Sequence, residues 1–318
     1  MRVLITGATG LIGSRLVRSL LARGDTVLPL SRKLHSSSKW GAEFASQCEP
    51  LQGDPQQSGD WLQAVGRVDA VVHLAGEPIM AQRWSDAFLQ KVRDSRVQST
   101  RLISEALAQS PRKEDGTPRS YICGSAVGYY GANSGDAPLD ESAQPGTDSM
   151  ADISREWEAA AQPASDAGVR VCNVRTGIVL DPNEGALPRM LFPFKMFVGG
   201  RIGSGKQYMS WIHRDDMNTA LLYVLDHTNI RGPFNATAPH PVRNSEFSQI
   251  IAKVLRRPNW LPVPRFALRI ALGKVVQVVA GGQNAVPKKL LNDGFAFRFP
   301  ELEPALRDLL NAPAEQSS

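Results

Sequence analysis

Along its first half the chain alternates short apolar runs with longer stretches whose apolar positions recur every three or four residues. The runs Arg2–Thr6, Thr26–Leu30, Asp69–Leu74, Tyr121–Cys123 and Val169–Val174 are predicted to be strands. Leu16, Leu20 and Leu21 give Leu11–Ala22 a helical stripe, and Gly24 offers the left-handed cap beyond its end. Ser85–Gln109 reads as a second, longer helix, and a weaker strand is placed within Glu43–Gln57, ending near Gly53-Asp54. Strands and helices alternating at this spacing imply right-handed βαβ crossovers, hence a parallel sheet.

The second half has another texture. Pro182–Gly205 is rich in Gly and Pro and poor in periodicity, so it is predicted to be a long functional connection. Helices are expected at Asp215–Asp226 and Ser245–Leu255. Pro258–Pro264 then leads into a further helix from near Arg265, and Ala312–Ser318 is a polar tail.

Composition narrows the class. Of 318 residues, 42% are apolar and 21% charged, the balance of a globular protein with a sizeable core. Met1–Ile5 passes at once into a glycine-rich turn, so no secretory leader is expected. The apolar stretch Trp260–Gly282 is interrupted by Arg265, Arg269 and Lys274, which suits an amphipathic helix and not a membrane span. Cys48, Cys123 and Cys172 are far apart with no CxxC, which points to buried reduced thiols and a cytoplasmic address. The net charge of +5 is scattered in pairs such as Arg256-Arg257 and Lys288-Lys289, with no basic stripe for nucleic acid.

The most specific signal is Thr6-Gly7-Ala8-Thr9-Gly10-Leu11-Ile12-Gly13, lying between a predicted strand and a helix. Gly7 permits a sharp turn, Gly10 lets backbone approach a pyrophosphate, and Gly13 allows close helix–strand packing. The helix start then offers free N–H groups and partial positive charge. A dinucleotide site is expected over Gly7, Thr9, Gly10, Leu11, Ile12 and Gly13. An NAD site usually ends the second strand with Asp or Glu. Here the strand ends Leu30-Ser31-Arg32-Lys33, so Ser31 and Arg32 are expected to hold a 2′-phosphate and the cofactor to be NADP. The expected fold is an α/β Rossmann-type doubly wound parallel sheet with a smaller, mainly helical C-terminal substrate subdomain. The cofactor domain is drawn as residues 1–180 with 207–240, the substrate side as 181–206 and 241–318.

With these residues in place the chain resembles the extended short-chain dehydrogenase/reductase superfamily through Thr6–Gly13, His73-Leu74-Ala75-Gly76, Arg175–Leu180 and Trp211–Asp216. More narrowly it is similar to an NAD(P)-dependent epimerase-like family with a C-terminal domain of unknown function. That match rests on Arg83-Trp84, Ser95-Arg96, Gly128–Gly131, Trp157-Glu158, Gly203–Gln207, Val286–Leu290 and Gly294–Phe299. The resemblance implies that Leu74 and Ala75 line a ribose and that Val179 flanks the nicotinamide. Arg96 stands at a position where many relatives carry Asn. It is then either a phosphate or ribose contact or a helix-surface arginine paired with Asp94 or Glu105. Asp54 is either an adenine contact or a turn residue before Pro55.

The resemblance also marks a departure. Relatives carry Tyr-x-x-x-Lys, in which Lys lowers the Tyr pKa for proton transfer. Registering on Glu158 puts Met150 at the Tyr position and Ser154 at the Lys position. Ser125 is the candidate catalytic hydroxyl, although anchoring on Tyr130-Gly131 puts Ala126 there. Tyr129, Tyr130, His213 and Lys206 are the substitute donors. Gly200–Lys206 has phosphate-loop spacing, but Gln207 lacks the metal-binding hydroxyl and no helix follows. Five scattered histidines give no metal spacing, and no metal is expected. The expected function is an NADP(H)-dependent oxidoreductase or epimerase-like enzyme, the alternative a non-catalytic NADP(H)-binding redox sensor or docking protein. The substrate is expected between Pro182–Gly205 and the C-terminal helices. Nucleic acid and membrane are excluded as partners, and a homodimer is compatible with the sequence.

Overall fold

A computed structural model describes residues 1–34, 40–44, 46–132, 135–263 and 281–311. Its strands are β1 (Arg2–Thr6), β2 (Thr26–Ser31), β3 (Leu51–Gln52), β4 (Ala70–His73), β5 (Ser120–Ala126), β6 (Arg170–Thr176), β7 (Ile178–Leu180), β8 (Tyr208–Met209), β9 (Trp211–His213), β10 (Gly232–Ala236) and β11 (Val242–Arg243). The helices are α1 (Leu11–Ala22), α2 (Leu62–Val65), α3 (Asp86–Gln109), α4 (Ser149–Ala159), α5 (Gln162–Asp166), α6 (Leu187–Lys195), α7 (Arg214–Asp226), α8 (Asn244–Leu255), α9 (Lys288–Asn292) and α10 (Leu302–Asn311).

Seven strands form one parallel sheet in the order β10-β6-β5-β4-β1-β2-β3. The middle of β1, Val3 to Ile5, is apolar at every position because both faces of the sheet are covered. Val3 and Ile5 pack with Leu16 and Leu20 of α1 and with Leu221 and Val224 of α7, while Leu4 packs with Ile103 and Leu107 of α3 on the opposite face. Ser85 caps α3, its hydroxyl accepting from the Phe88 N–H at 3.1 Å. The Rossmann-type expectation therefore holds. The strand expected within Glu43–Gln57 shrinks to Leu51–Gln52, and the helix expected near Arg265 lies outside the described residues.

Pro182–Gly205 departs from its expectation, because it contains α6. Pro188 sits in the first turn, where a missing N–H costs nothing, and Pro193 removes one bond from a short helix. Leu187, Leu191 and Phe194 still form one apolar face. They pack with Phe247 and Ile251 of α8 and Leu306 and Leu309 of α10 in a core separate from the sheet.

Two buried polar groups tie the sheet together. His73, at the end of β4, has Nδ1 2.6 Å from Thr6 Oγ1 on β1 and Nε2 2.9 Å from Ser99 Oγ on α3. Ser99 donates to Ser95 O, so its oxygen accepts from Nε2–H and the imidazole is neutral. Burial, then the charge of Arg96, depresses the His73 pKa to about 3. Arg170, at the start of β6, is fully buried and donates from Nη1 to Val224 O and Ile230 O, both at 3.0 Å, and from Nε to Ser120 Oγ at 3.0 Å. It thus satisfies carbonyls left open at the end of α7.

Removing that guanidinium strands those carbonyls. Arg170→Met is expected to destabilise the protein by about 2–4 kcal/mol in urea melts, because buried acceptors lose charged donors. A loss below about 1 kcal/mol would show that the carbonyls find other donors. For His73, the folded state resists a proton that the unfolded chain accepts near the ordinary value of about 6.5. Its contribution to stability is therefore complete above that pH and lost as pH falls from there toward about 3. The expected slope is about 1 kcal/mol per pH unit, and His73→Gln should flatten that part of a stability–pH profile.

Candidate functional site

The doubly wound order places a crevice where connections leave β1 and β4 on opposite faces of the sheet, and ligands of such sheets bind there. Gly7 turns the chain with φ +70°. A Cβ on Gly7 would lie 2.9 Å from Ala75 N and Leu74 C, so this glycine lets the loop lie flat on the end of β4. A Cβ on Gly13 would collide with Gly7 O, whereas one on Gly10 would meet only Gly7 O at 3.4 Å. Gly10 therefore faces open space. Thr9 is exposed beside it, Leu11 and Ile12 are half-buried, and Gly10 caps α1 without a side-chain bond, leaving the first N–H groups of the helix available.

The flanks of the crevice follow the expected order. Ser31 ends β2, its hydroxyl donating to Lys33 O. Arg32 is exposed, and its guanidinium has no partner among the described residues. Ala75 N donates to Thr6 Oγ1 at 3.2 Å, which ties the Leu74-Ala75 segment to β1. Val179 is buried in the cluster that holds Ala8, with Leu11 packed against it, and a Cβ on Gly185 would touch Leu11 at 3.1 Å. The loop after β7 thus folds back over the start of α1. Asp181 fixes that loop, accepting from Asn183 N at 2.8 Å and from Arg214 Nη1 at 2.9 Å.

At the ends of β5 and β6 the geometry gives Ser125 a definite partner. Its hydroxyl donates to Glu158 Oε1 at 2.7 Å, and Arg175 grips the same carboxylate through Nε at 2.8 Å and Nη2 at 2.9 Å. Burial works against the Arg175 charge, yet the Glu158 pair raises its pKa above the ordinary arginine value. Arg175 Nη1 also donates to the Tyr130 hydroxyl at 3.0 Å, and its guanidinium lies 3.5 Å from the Tyr129 ring centroid. Burial raises the Tyr130 pKa in spite of Arg175, so this phenol keeps its proton and directs it at Asn235 Oδ1, 2.8 Å away. The Tyr130 phenol is thus committed to Asn235 and Arg175, whereas Tyr129 is engaged through its ring.

Met150 and Ser154 both face the end of β5: a Cβ on Gly128 would lie 3.7 Å from Met150 Cβ and 3.8 Å from Ser154 Oγ. Ser154 donates its hydrogen to Met150 O at 2.8 Å. Arg96 pairs with neither Asp94 nor Glu105. Its Nη1 donates to Glu77 O at 3.0 Å and Val92 O at 3.1 Å, and burial lowers its pKa to about 10 with Glu77 offsetting part of the effect. Asp54 accepts from Gln56 N at 3.0 Å, a turn bond. Lys206 is exposed, and strand β8 follows the Gly200–Lys206 segment where a phosphate loop needs a helix.

His213 is buried at the start of α7, where Nδ1 accepts from Asp215 N at 3.0 Å. Its proton is therefore on Nε2, 3.3 Å from Asp308 Oδ2, and burial holds its pKa near 4 despite both carboxylates. His213, Asp215 and Asp308 are the one metal-capable trio among the described residues. The Nε2 proton blocks the ligand atom, and Arg298 lies 3.9 Å from Asp215 and 4.0 Å from Asp308. The three cysteines are buried and free, and burial pushes the Cys123 thiol up to about 12.

Sequence reasoning used Glu158 only as a register mark and missed its pairing with Arg175. It also missed Trp40, whose Nε1 donates to Ala8 O at 3.4 Å beneath the glycine turn. Both partnerships join distant parts of the chain and leave no local pattern. Among the described residues no helix is long and apolar enough to cross a membrane.

Comparisons with known proteins agree with this geometry. The model of the NAD dependent epimerase/dehydratase family matches residues 3–236, and a domain of unknown function (DUF1731) matches residues 263–309. An epimerase family protein of Mycobacterium leprae is 38% identical over 98% of this chain and 97% of its own length. A chloroplastic epimerase family protein of Arabidopsis thaliana, an SDR39U1 homolog, is 39% identical over 98% of this chain and 87% of its own. The crystal structure of human epimerase family protein SDR39U1 (isoform 2) with NADPH superposes with a TM-score of 0.82 at 31% identity, covering 98% of this chain and 99% of that one. The chain belongs to the NAD dependent epimerase/dehydratase family.

Proposed function

We propose that the chain binds NADPH in the β1–β4 crevice and acts as an oxidoreductase or epimerase-like enzyme on a small molecule, without a Tyr–Lys pair. The observation that carries the cofactor is the Gly7–Gly13 turn, with Gly10 open and α1 uncapped, next to an unpartnered Arg32 where an NAD site would carry an acid. The human relative, solved with NADPH, supports the same choice. In this reading α1 receives the pyrophosphate, Arg32 the 2′-phosphate through two N–H bonds, and Ser31 joins after exchanging Lys33 O as its partner. Leu74 and Ala75 line a ribose, and Val179 flanks the nicotinamide.

When bound, NADPH supplies hydride, and its oxidised form NADP⁺ accepts it. The chain's own residues orient and enclose. The loop held by Asp181 and Arg214 closes over the start of α1, and α6 with its core on α8 and α10 forms the far wall. Glu158 and Arg175 hold Ser125 fixed and leave its hydroxyl a poor proton source. A second reading, a non-catalytic NADP(H)-binding sensor, is favoured by Met150 and Ser154 beside Gly128, the residues that the Glu158 register aligns with Tyr and Lys.

Calorimetry tests the cofactor assignment. NADPH is expected to bind at least about tenfold tighter than NADH, since that ratio needs about 1.4 kcal/mol, within reach of one bidentate charged pair. Arg32→Ala should remove most of the preference. Gly10→Val should abolish binding of both nucleotides and leave the circular dichroism spectrum unchanged, because its side chain enters open space and not the core. Equal affinity of the unmodified protein for the two nucleotides would overturn the NADPH assignment.

A further inference from the structure

Among the described residues three arginines are buried, and each uses every guanidinium nitrogen. Arg119 donates from Nε to Ser110 O, from Nη1 to Val68 O and from Nη2 to Gly66 O. Arg170 reaches Ser120 Oγ, Val224 O and Leu225 O from its three nitrogens, and Arg175 spends all of its own on Glu158, Tyr130 and Glu141 O. This is the expected pattern, because a guanidinium taken from water must recover its hydrogen bonds.

Arg96, half-buried, is satisfied less completely. Only Nη1 has acceptors, Glu77 O, Val92 O and Ser95 Oγ. Among the described residues no carboxylate lies within ion-pair distance of it, and Glu77 is taken by Lys91 at 3.2 Å. Nε and Nη2 have no acceptor among the described residues and remain open to solvent. The group is nevertheless packed: a Cβ on Gly76 would come 3.3 Å from Cζ, and Cζ lies over the Trp157 ring, 5.0 Å from its centroid. A fixed cation with one free edge is thus built at the end of β4, beside Gly76 and away from Ser31 and Arg32.

That free edge carries two parallel N–H groups, the fork that takes a carboxylate side-on. The anionic groups of the proposed cofactor have other partners in the crevice, the start of α1 and Arg32, which leaves Arg96 for a second anion. We propose that Arg96 anchors the substrate, its Nε–Nη2 edge gripping a carboxylate, so that the protein acts on small carboxylic acids whose reacting carbon lies near that carboxylate. This rests on the NADPH reading, which places the nicotinamide on the β4–β5 side of the crevice. The clamp between Gly76 and Trp157 orients the anion with little further loss of side-chain freedom.

Oxalate, a small planar dicarboxylate, is the probe. Calorimetry with the full chain saturated with NADP⁺ is expected to show oxalate binding, weakened at least about tenfold in Arg96→Gln, while NADPH affinity stays within about twofold. Arg96→Lys keeps the charge but not the fork, and is expected to lose several-fold; it carries the measurement if the Gln variant does not fold. Absence of oxalate binding to the unmodified complex, or equal binding to the variants, overturns the anchor. So does a fall in NADPH affinity in Arg96→Gln with oxalate binding kept, which would make Arg96 a cofactor contact. Failure of the unmodified protein to bind NADPH shows in the first titration, before oxalate is added, and removes the cofactor reading and this anchor together.

Discussion

The carboxyl ends of β5 and β6 are organised around one buried guanidinium. Arg175 cannot sit there as a charge without Glu158, and Glu158, once placed, claims the hydroxyl of Ser125. The same guanidinium fixes Tyr130, whose hydroxyl meets Asn235 on β10. Asn235 in turn donates from its side chain to Leu139 O and Val286 O, while its backbone N–H donates to Glu141. A sheet edge, a helix, a loop and the start of the C-terminal region are therefore registered against one another through a single chain of polar contacts. Breaking a buried pair of this kind leaves an uncompensated charge, which is why such networks move as a unit or not at all.

That network also decides what chemistry remains. The polar side chains nearest the end of β5 are spent on each other, and the helix face that follows presents Met150 and Ser154. In the proposed reaction, placement and charge are what the crevice contributes. The turn at Gly7 to Gly13 suits this division of labour, because it brings backbone and helix start to a ligand without committing any ionisable group.

Much of the fold is legible in the sequence. Parallel strands covered on both faces are apolar over most of their length, and Gly7 and Gly13 stand where a Cβ would collide with backbone. The Leu30-Ser31-Arg32 ending of β2 stands within a few residues of the strand that presents it, so its exposure is legible too. What the sequence hides is of two kinds. Helix α6 is masked by Pro188 and Pro193, whose breaking tendency is cancelled by position and by an apolar face. The pairings of Ser125 with Glu158 and of His213 with Asp308 are hidden because partners distant in sequence leave no periodic trace. Arg96 illustrates the limit: its neighbours in sequence, Asp94 and Glu105, suggest ion pairs that the fold does not make.

The order of the sheet has a consequence for how the protein is made. Strand β10 pairs with β6, yet it leaves the ribosome about 60 residues after β6 ends. At roughly 5–20 residues per second, that interval lasts several seconds. Through it, β6 offers an unpaired row of backbone groups flanked by Val171, Cys172 and Val174, the kind of edge that invites pairing with another nascent chain. Synthesis slowed anywhere between Gly177 and Gly232 would lengthen that exposure, so yield in a cell should be more sensitive to translation rate across this stretch than the stability of the finished protein suggests.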